Sequence, residues 1–322
     1  MLRRTILGAL LLGHAGAALA QIGAPQSGWV PDGARIRPVY GISASAAVGA
    51  AVGTQEFARI APSAARNYVL LSAADTGIVS VYQPETGWTP VEGAGIAPDS
   101  MVLSPGGSAA ALWFSSIRQV QIVTGLPEAP SIRQLDASFL GSAPDALAIS
   151  DDGAWLAGSW LGDSATGVYT FGPNGETSRL PIEDRVTALA FFSAPHDGTH
   201  DIAAASTAGL LRVTGIGGFA QVSLLAPFAD SSMPAAAVAV TPDNRIVIAV
   251  DRGGSILSVQ IESGAATTLD CGCSPEGLFA MGPSAFRLTS LQNGAFKLFD
   301  AALGEVLFAP LALNPGAEGA AQ

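Results

Sequence analysis

The chain has 322 residues, 49% hydrophobic and only 13% charged, with 38 Gly and 21 Pro, a composition too apolar for a disordered chain and too rich in turn residues for a helical bundle. That length admits one large domain or two small ones. The formal charge is -11, with fourteen Arg and the single Lys297 against 26 acids, so there is no basic stripe to neutralise phosphates, and nucleic acid and anionic membrane surfaces are poor partners.

At the N-terminus Arg3 and Arg4 precede the apolar stretch 6–12, and Ala18-Leu19-Ala20 carries a small-x-small cleavage pattern. Residues 1–20 therefore read as a secretory signal peptide cut before Gln21. Its removal takes away two Arg and no acid, which leaves a net charge of -13. No Cys follows the cleavage point, and no later run of about 18 uninterrupted apolar residues exists to span a membrane. The expected product is periplasmic or secreted.

The segment 21–54 holds one candidate strand, 34–39, and an Ala-rich stretch, 44–52, whose helical potential Gly49 and Gly53 interrupt at about 1 kcal/mol each. From 55 to 313 the chain repeats. Each copy is a short apolar strand, a turn of Ser or Thr with Pro, Asp or Gly, and a second apolar strand, as around Ser104-Pro-Gly-Gly, Ser150-Asp-Asp-Gly and Thr241-Pro-Asp-Asn. Anchored on Ala61, Ser104, Ser150, Ser193, Thr241 and Met281, the intervals are 43, 46, 43, 48 and 40 residues. A period of about 40–45 residues suits a four-stranded propeller blade. Further turns such as Asp75-Thr-Gly, Arg252-Gly-Gly and Gln292-Asn-Gly lead to third and fourth strands, making each copy a meander. No segment supplies the helices that a parallel α/β sheet needs, and a sandwich does not account for the even spacing.

The expectation is an all-β chain: a β-propeller of four-stranded antiparallel blades, with six blades closed by a loan of strand 34–39 to the last one. The alternative is seven blades, with a degenerate seventh built from 28–54. The Gly, Ala and Pro-rich tail 314–322 reads as frayed.

The turns Ser150-Asp-Asp-Gly-Ala-Trp155 and Thr241-Pro-Asp-Asn-Arg245 are similar to the Ser-Pro-Asp-Gly turn between the two inner strands of WD40-like and YVTN-like repeats, so 55–313 resembles that superfamily of exported bacterial β-propellers. The resemblance implies ligand binding at the mouth of the central channel, where loops entering and leaving the innermost strands converge. Scaffolds, lectins, hydrolases and dehydrogenases share this architecture, so the fold does not choose among them.

Asp99 and Asp145, each in Ala-Pro-Asp, and Glu276, in Ser-Pro-Glu, occupy one step of the repeat just before inner strands, and Arg185 stands at the matching step of the fourth copy. Three acids on one rim could hold a cation such as Ca²⁺ through oxygen ligands, could be neutralised by Arg185 without a metal, or could be ordinary turn chemistry. Cys271 and Cys273, separated by Gly272, admit a local disulfide, two buried thiols or a soft-metal or redox pair. His196 and His200, in Pro-His-Asp-Gly-Thr-His, read as an exposed hairpin tip, too few for a multi-histidine metal site, and no Gly-x-Ser-x-Gly elbow accompanies them. Trp113, Trp155 and Trp160 are expected between blades, with Trp29 and Trp88 nearer the surface. These features favour a non-catalytic binding or scaffold propeller, monomeric and without a resident cofactor, that takes a protein or small molecule at the channel mouth. The alternative is a metal-assisted hydrolase of the lactonase-like type.

Overall fold

The computed structural model describes residues 26–42, 45–162, 165–195, 197–228, 234–291 and 295–310. The expected signal peptide 1–20, His196, the turn 292–294 and the tail 314–322 lie outside the described residues. Among those described, no helix is long and apolar enough to cross a membrane.

Among the described residues the strands form seven sheets, six of four strands and one of three. In the four-stranded sheets the first strands are Phe57–Ser63, Ser100–Leu103, Ala146–Ile149, Val186–Phe191, Ala235–Val240 and Phe279–Ala280, which open blades 2 to 7 in chain order. Each of these sheets is an antiparallel meander, and first strands pack on first strands around the centre. Second strands such as Tyr68–Ala73 and Ala109–Phe114 are buried along their whole length. A strand covered on both faces needs a continuous apolar run rather than alternation, and the small side chains of Ala109–Ala111 and Ala203–Ala205 let neighbouring sheets approach. Outermost strands are solvated, as in Thr177–Arg179 and Ala266–Asp270.

The core lies between blades rather than within them. Blades 3 and 4 close on Trp113, Trp160, Ile149 and Phe171, blades 4 and 5 on Leu180, Phe191 and Ile202, and blades 5 and 6 on Phe192, Ala203, Val238 and Val247. Trp113 and Trp160 are thus interblade residues and Trp155 packs at the edge of the next layer, between blades 4 and 5, whereas Trp29 is buried, against expectation. Trp29 meets Tyr82 edge-on at 5.3 Å, which draws it beneath blade 2.

The expectation of six blades is corrected to seven. Blade 1 is the three-stranded sheet of Gln26–Asp32, Arg35–Tyr40 and Ala47–Val48. Residues 34–39 fall almost entirely in its middle strand, paired with the strands on either side of it. Blade 1 also runs in the opposite sense. The Gln26 side-chain amide donates to Asn67 Oδ1 at 3.0 Å, level with the end of blade 2's first strand. At the other end, the Phe57 N–H that opens that strand donates to Ala34 O at 2.8 Å. Gln26–Asp32 is therefore antiparallel to the first strand of blade 2. A repeat anchored on the turn that follows an inner strand has no copy in a blade of that polarity, which is why counting turns gave six.

Candidate functional site: the rim where inner strands begin

Asp99, Asp145 and Glu276 stand at equivalent points of blades 3, 4 and 7, and each does the same local work. Their backbone N–H groups donate to Trp113 O, Ser159 O and Leu288 O, each at 2.8 Å, on or just beyond the second strand. Each carboxylate then reaches two residues further along that same second-strand segment. Asp99 Oδ2 accepts from both the N–H and the hydroxyl of Ser115 at 2.6 Å. Asp145 Oδ2 accepts from the Leu161 N–H at 3.0 Å, and Glu276 Oε1 from the Ser290 hydroxyl at 2.6 Å. These bonds tie the start of one strand to the end of the next at the open end of the hairpin. Hydrogen bonds from Ser115 hold the Asp99 carboxyl below its usual range, as expected when the bonds favour the charged form.

The starts of inner strands also lie level across blades. Arg59 Nε donates to Asp99 O at 2.8 Å, Ser159 Oγ to Val186 O at 2.7 Å, and Thr187 Oγ1 to Ala235 O at 2.8 Å. The acids thus share a rim, and each is engaged by its own blade. Among the described residues, no group of three or more His, Cys, Asp or Glu side chains is placed to hold a metal ion.

Arg185 lies on this rim, and its carbonyl accepts from the Thr207 N–H at 3.1 Å. It lines a cleft of about 210 Å³ together with Arg179, Glu183, Asp184 and Leu161, and none of Asp99, Asp145 and Glu276 borders it. Gly167 makes room there, because a Cβ at that position would come within 2.7 Å of Arg179 Nε. Two guanidinium groups and two carboxylates around one concavity suit a polar ligand or a peptide bearing both charges.

Cys271 and Cys273 are joined by a disulfide, with Cα atoms 5.2 Å apart, on the loop leaving blade 6. Blade 7 holds a residue the sequence did not single out. Arg287 is buried, with its guanidinium 4.1 Å from the centre of the Phe279 ring and one bond to Thr289 O at 2.9 Å. Among the described residues its Nε finds no partner, and burial pulls its pKa down to about 10. A lone Arg in a three-residue strand carries no pattern that would have revealed it.

On the opposite face, the turns after inner strands are linked from blade to blade. Tyr68 Oη donates to Gly107 O at 2.8 Å, the Gly106 N–H to Asp151 Oδ1 at 2.6 Å, and the Ser193 N–H to Asn244 Oδ1 at 2.8 Å. His200 belongs to this belt, correcting its reading as an exposed tip. It opens the buried strand His200–Ser206 and lies under Phe191. Its position 48 residues beyond Asp152 in sequence hid their contact across two blades.

The chain matches no family model and no curated protein. Solved structures do resemble it. Apo AztD from Citrobacter koseri superposes with a TM-score of 0.57 at 13% identity, over 91% of this chain and 83% of that one. A streptogramin B lyase gives 0.55 at 10% identity, over 77% and 80% of the two chains. Hydrazine synthase from Kuenenia stuttgartiensis gives 0.53 at 13%, over 93% and 99%. Identities this low carry the architecture and no activity, and what they establish for this chain is a β-propeller.

Proposed function

We propose that this chain is a non-catalytic binding or scaffold propeller acting in the periplasm or outside the cell, and that it takes a protein or small-molecule ligand on the rim where the inner strands begin. The observation that carries this reading is the division of labour on that rim. Asp99, Asp145 and Glu276 spend their carboxylates on Ser115, Leu161 and Ser290, while Arg179, Arg185, Glu183 and Asp184 surround an open cleft. The first set is structural, whereas among the described residues the side chains of the second set are engaged only by a long 3.5 Å bond from the Thr207 hydroxyl to Asp184 Oδ1 and border the open cleft. The leader-like segment at residues 1–20 supports export, and the acidic balance argues against nucleic acid.

The test compares the chain with the Arg179→Glu/Arg185→Glu double variant as baits in crosslinking against an envelope fraction of the source cells. A partner held by the parent and lost by the variant supports the reading. Turnover of lactones or esters that depends on Asp99, Asp145 and Glu276 overturns it. N-terminal sequencing of exported material should begin at Gln21.

A further inference from the structure

We propose that Cys271 and Cys273 form a reversible dithiol/disulfide couple on the rim, open to exchange with an external dithiol. This is independent of the ligand-binding reading above.

The bond encloses only Gly272. A ring that small removes almost no loop-closure entropy from the unfolded chain, so the bond adds little to stability. Nor is it needed to shape the loop, which other contacts already fix. The Cys271 N–H donates to Gly254 O at 2.8 Å, and the Gly272 N–H to Asp270 Oδ1 at 2.8 Å. Lys297 Nζ donates to Cys271 O at 3.0 Å and to Gly272 O at 2.7 Å. Gly272 takes the left-handed conformation at φ 55° that this tight turn requires. With the bond open, all four hydrogen bonds persist and both thiols stay close together.

Access is unequal. Cys271 is buried while Cys273 is half-exposed, so an incoming thiolate meets Cys273 Sγ. A new S–S bond forms there, the Cys271–Cys273 bond breaks, and the electron pair leaves on Cys271 Sγ as a thiolate. The second thiol of the external dithiol, once deprotonated, then attacks its own sulfur in the mixed disulfide. Cys273 leaves as a thiolate and the reagent departs as its cyclic disulfide, so two electrons pass to the protein and the thiolates take up the protons released. Lys297, the only Lys in the chain, places its ammonium at the backbone of this loop, where positive charge favours a departing thiolate.

The full chain is treated with dithiothreitol under native conditions, quenched with N-ethylmaleimide and read by mass, alongside far-UV circular dichroism and thermal melting. The expected result is complete double alkylation with an unchanged spectrum and a melting temperature within about 3 °C of the oxidised chain. Lys297→Gln should slow reduction about fivefold and Lys297→Arg restore it. Should Lys297→Gln not fold, the parent's reduction rate should still fall with added salt by a factor that a neutral peptide disulfide does not show. In Cys271→Ser, Cys273 should take up one equivalent of an aromatic disulfide reagent. Reduction that occurs only as the chain unfolds, a large loss of melting temperature on reduction, or rates indifferent to both Lys297 and salt would overturn the proposal.

Discussion

Asp152 Oδ2 lies 3.2 Å from Nε2 of His200, one blade further round the ring, while Asp151, its neighbour in the same turn, accepts the Gly106 N–H of the preceding blade. The two carboxyls face opposite ways and are displaced in opposite directions. Burial raises Asp151 above its ordinary value of 3.8. Burial also opposes the charge on Asp152, but bonds from Ser150, Ala154 and His200 outweigh it and lower that group. Asp152 therefore adds stability that is present above its unfolded value and lost as pH falls through its lower folded value, whereas Asp151 costs stability as pH rises through its raised one. Carboxyl-carbon NMR should show Asp151 protonating at the higher pH, and the reverse order would refute this account of the turn.

Two arginines offer a contrast between a half-buried cation paired with a buried carboxylate and a buried cation without an ion pair among the described residues. Arg212 meets Asp201 Oδ2 at 2.6 Å and lies 4.9 Å from the centre of the Phe192 ring. Arg212→Leu leaves Asp201 buried without its partner and should cost about 3 kcal/mol in urea unfolding. Arg287 forms no ion pair among the described residues and its Nε is unpartnered, so Arg287→Met, which gives up only the bond to Thr289 O and the Phe279 contact, should cost less than Arg212→Leu. Equal losses in the two variants would show that Arg287 has a partner.

Tyr68 is fully buried and its hydroxyl bonds to Gly107 O, while burial pushes its pKa well above the ordinary value. Tyr68→Phe should cost about 1 kcal/mol through the orphaned carbonyl. Gly107→Ala should cost more, because φ there is 67° and a Cβ would overlap Ser63 Oγ. Calorimetry orders the two, and a milder Gly107→Ala would mean that the turn relaxes.

The sequence made the meander legible wherever a turn followed an inner strand. The even spacing of Ser104, Ser150 and Thr241 reflects blades that share one polarity, and blade 1 escaped because its reversed strands place Gly33 at the other end of the hairpin. The common step of Asp99, Asp145 and Glu276 was visible for the same reason. Their partners were not, since 16, 16 and 14 residues separate them from Ser115, Leu161 and Ser290, a distance set by hairpin length rather than by motif. Contacts between blades, such as Asp152 with His200, depend on how far one sheet is rotated from the next, and linear spacing does not encode that rotation.

Because each rim acid already serves its own blade, Asp99→Ala should lower stability by about 1 kcal/mol through the loss of its bonds to Ser115. That contribution should fade as pH falls below 3.8 and through the lowered folded value. Urea titrations at pH 7 and pH 3 check both statements, and a variant as stable as the parent at pH 7 would show the bonds to be idle.

The most direct test of a rim that binds without metal chemistry is a calcium titration of the melting temperature, run on the parent and on the Asp99→Asn/Asp145→Asn/Glu276→Gln triple variant. The account predicts no shift with calcium or with a chelator in either chain. A rise with calcium in the parent that disappears in the triple variant would contradict it, because a ligand that binds only the folded state must stabilise that state.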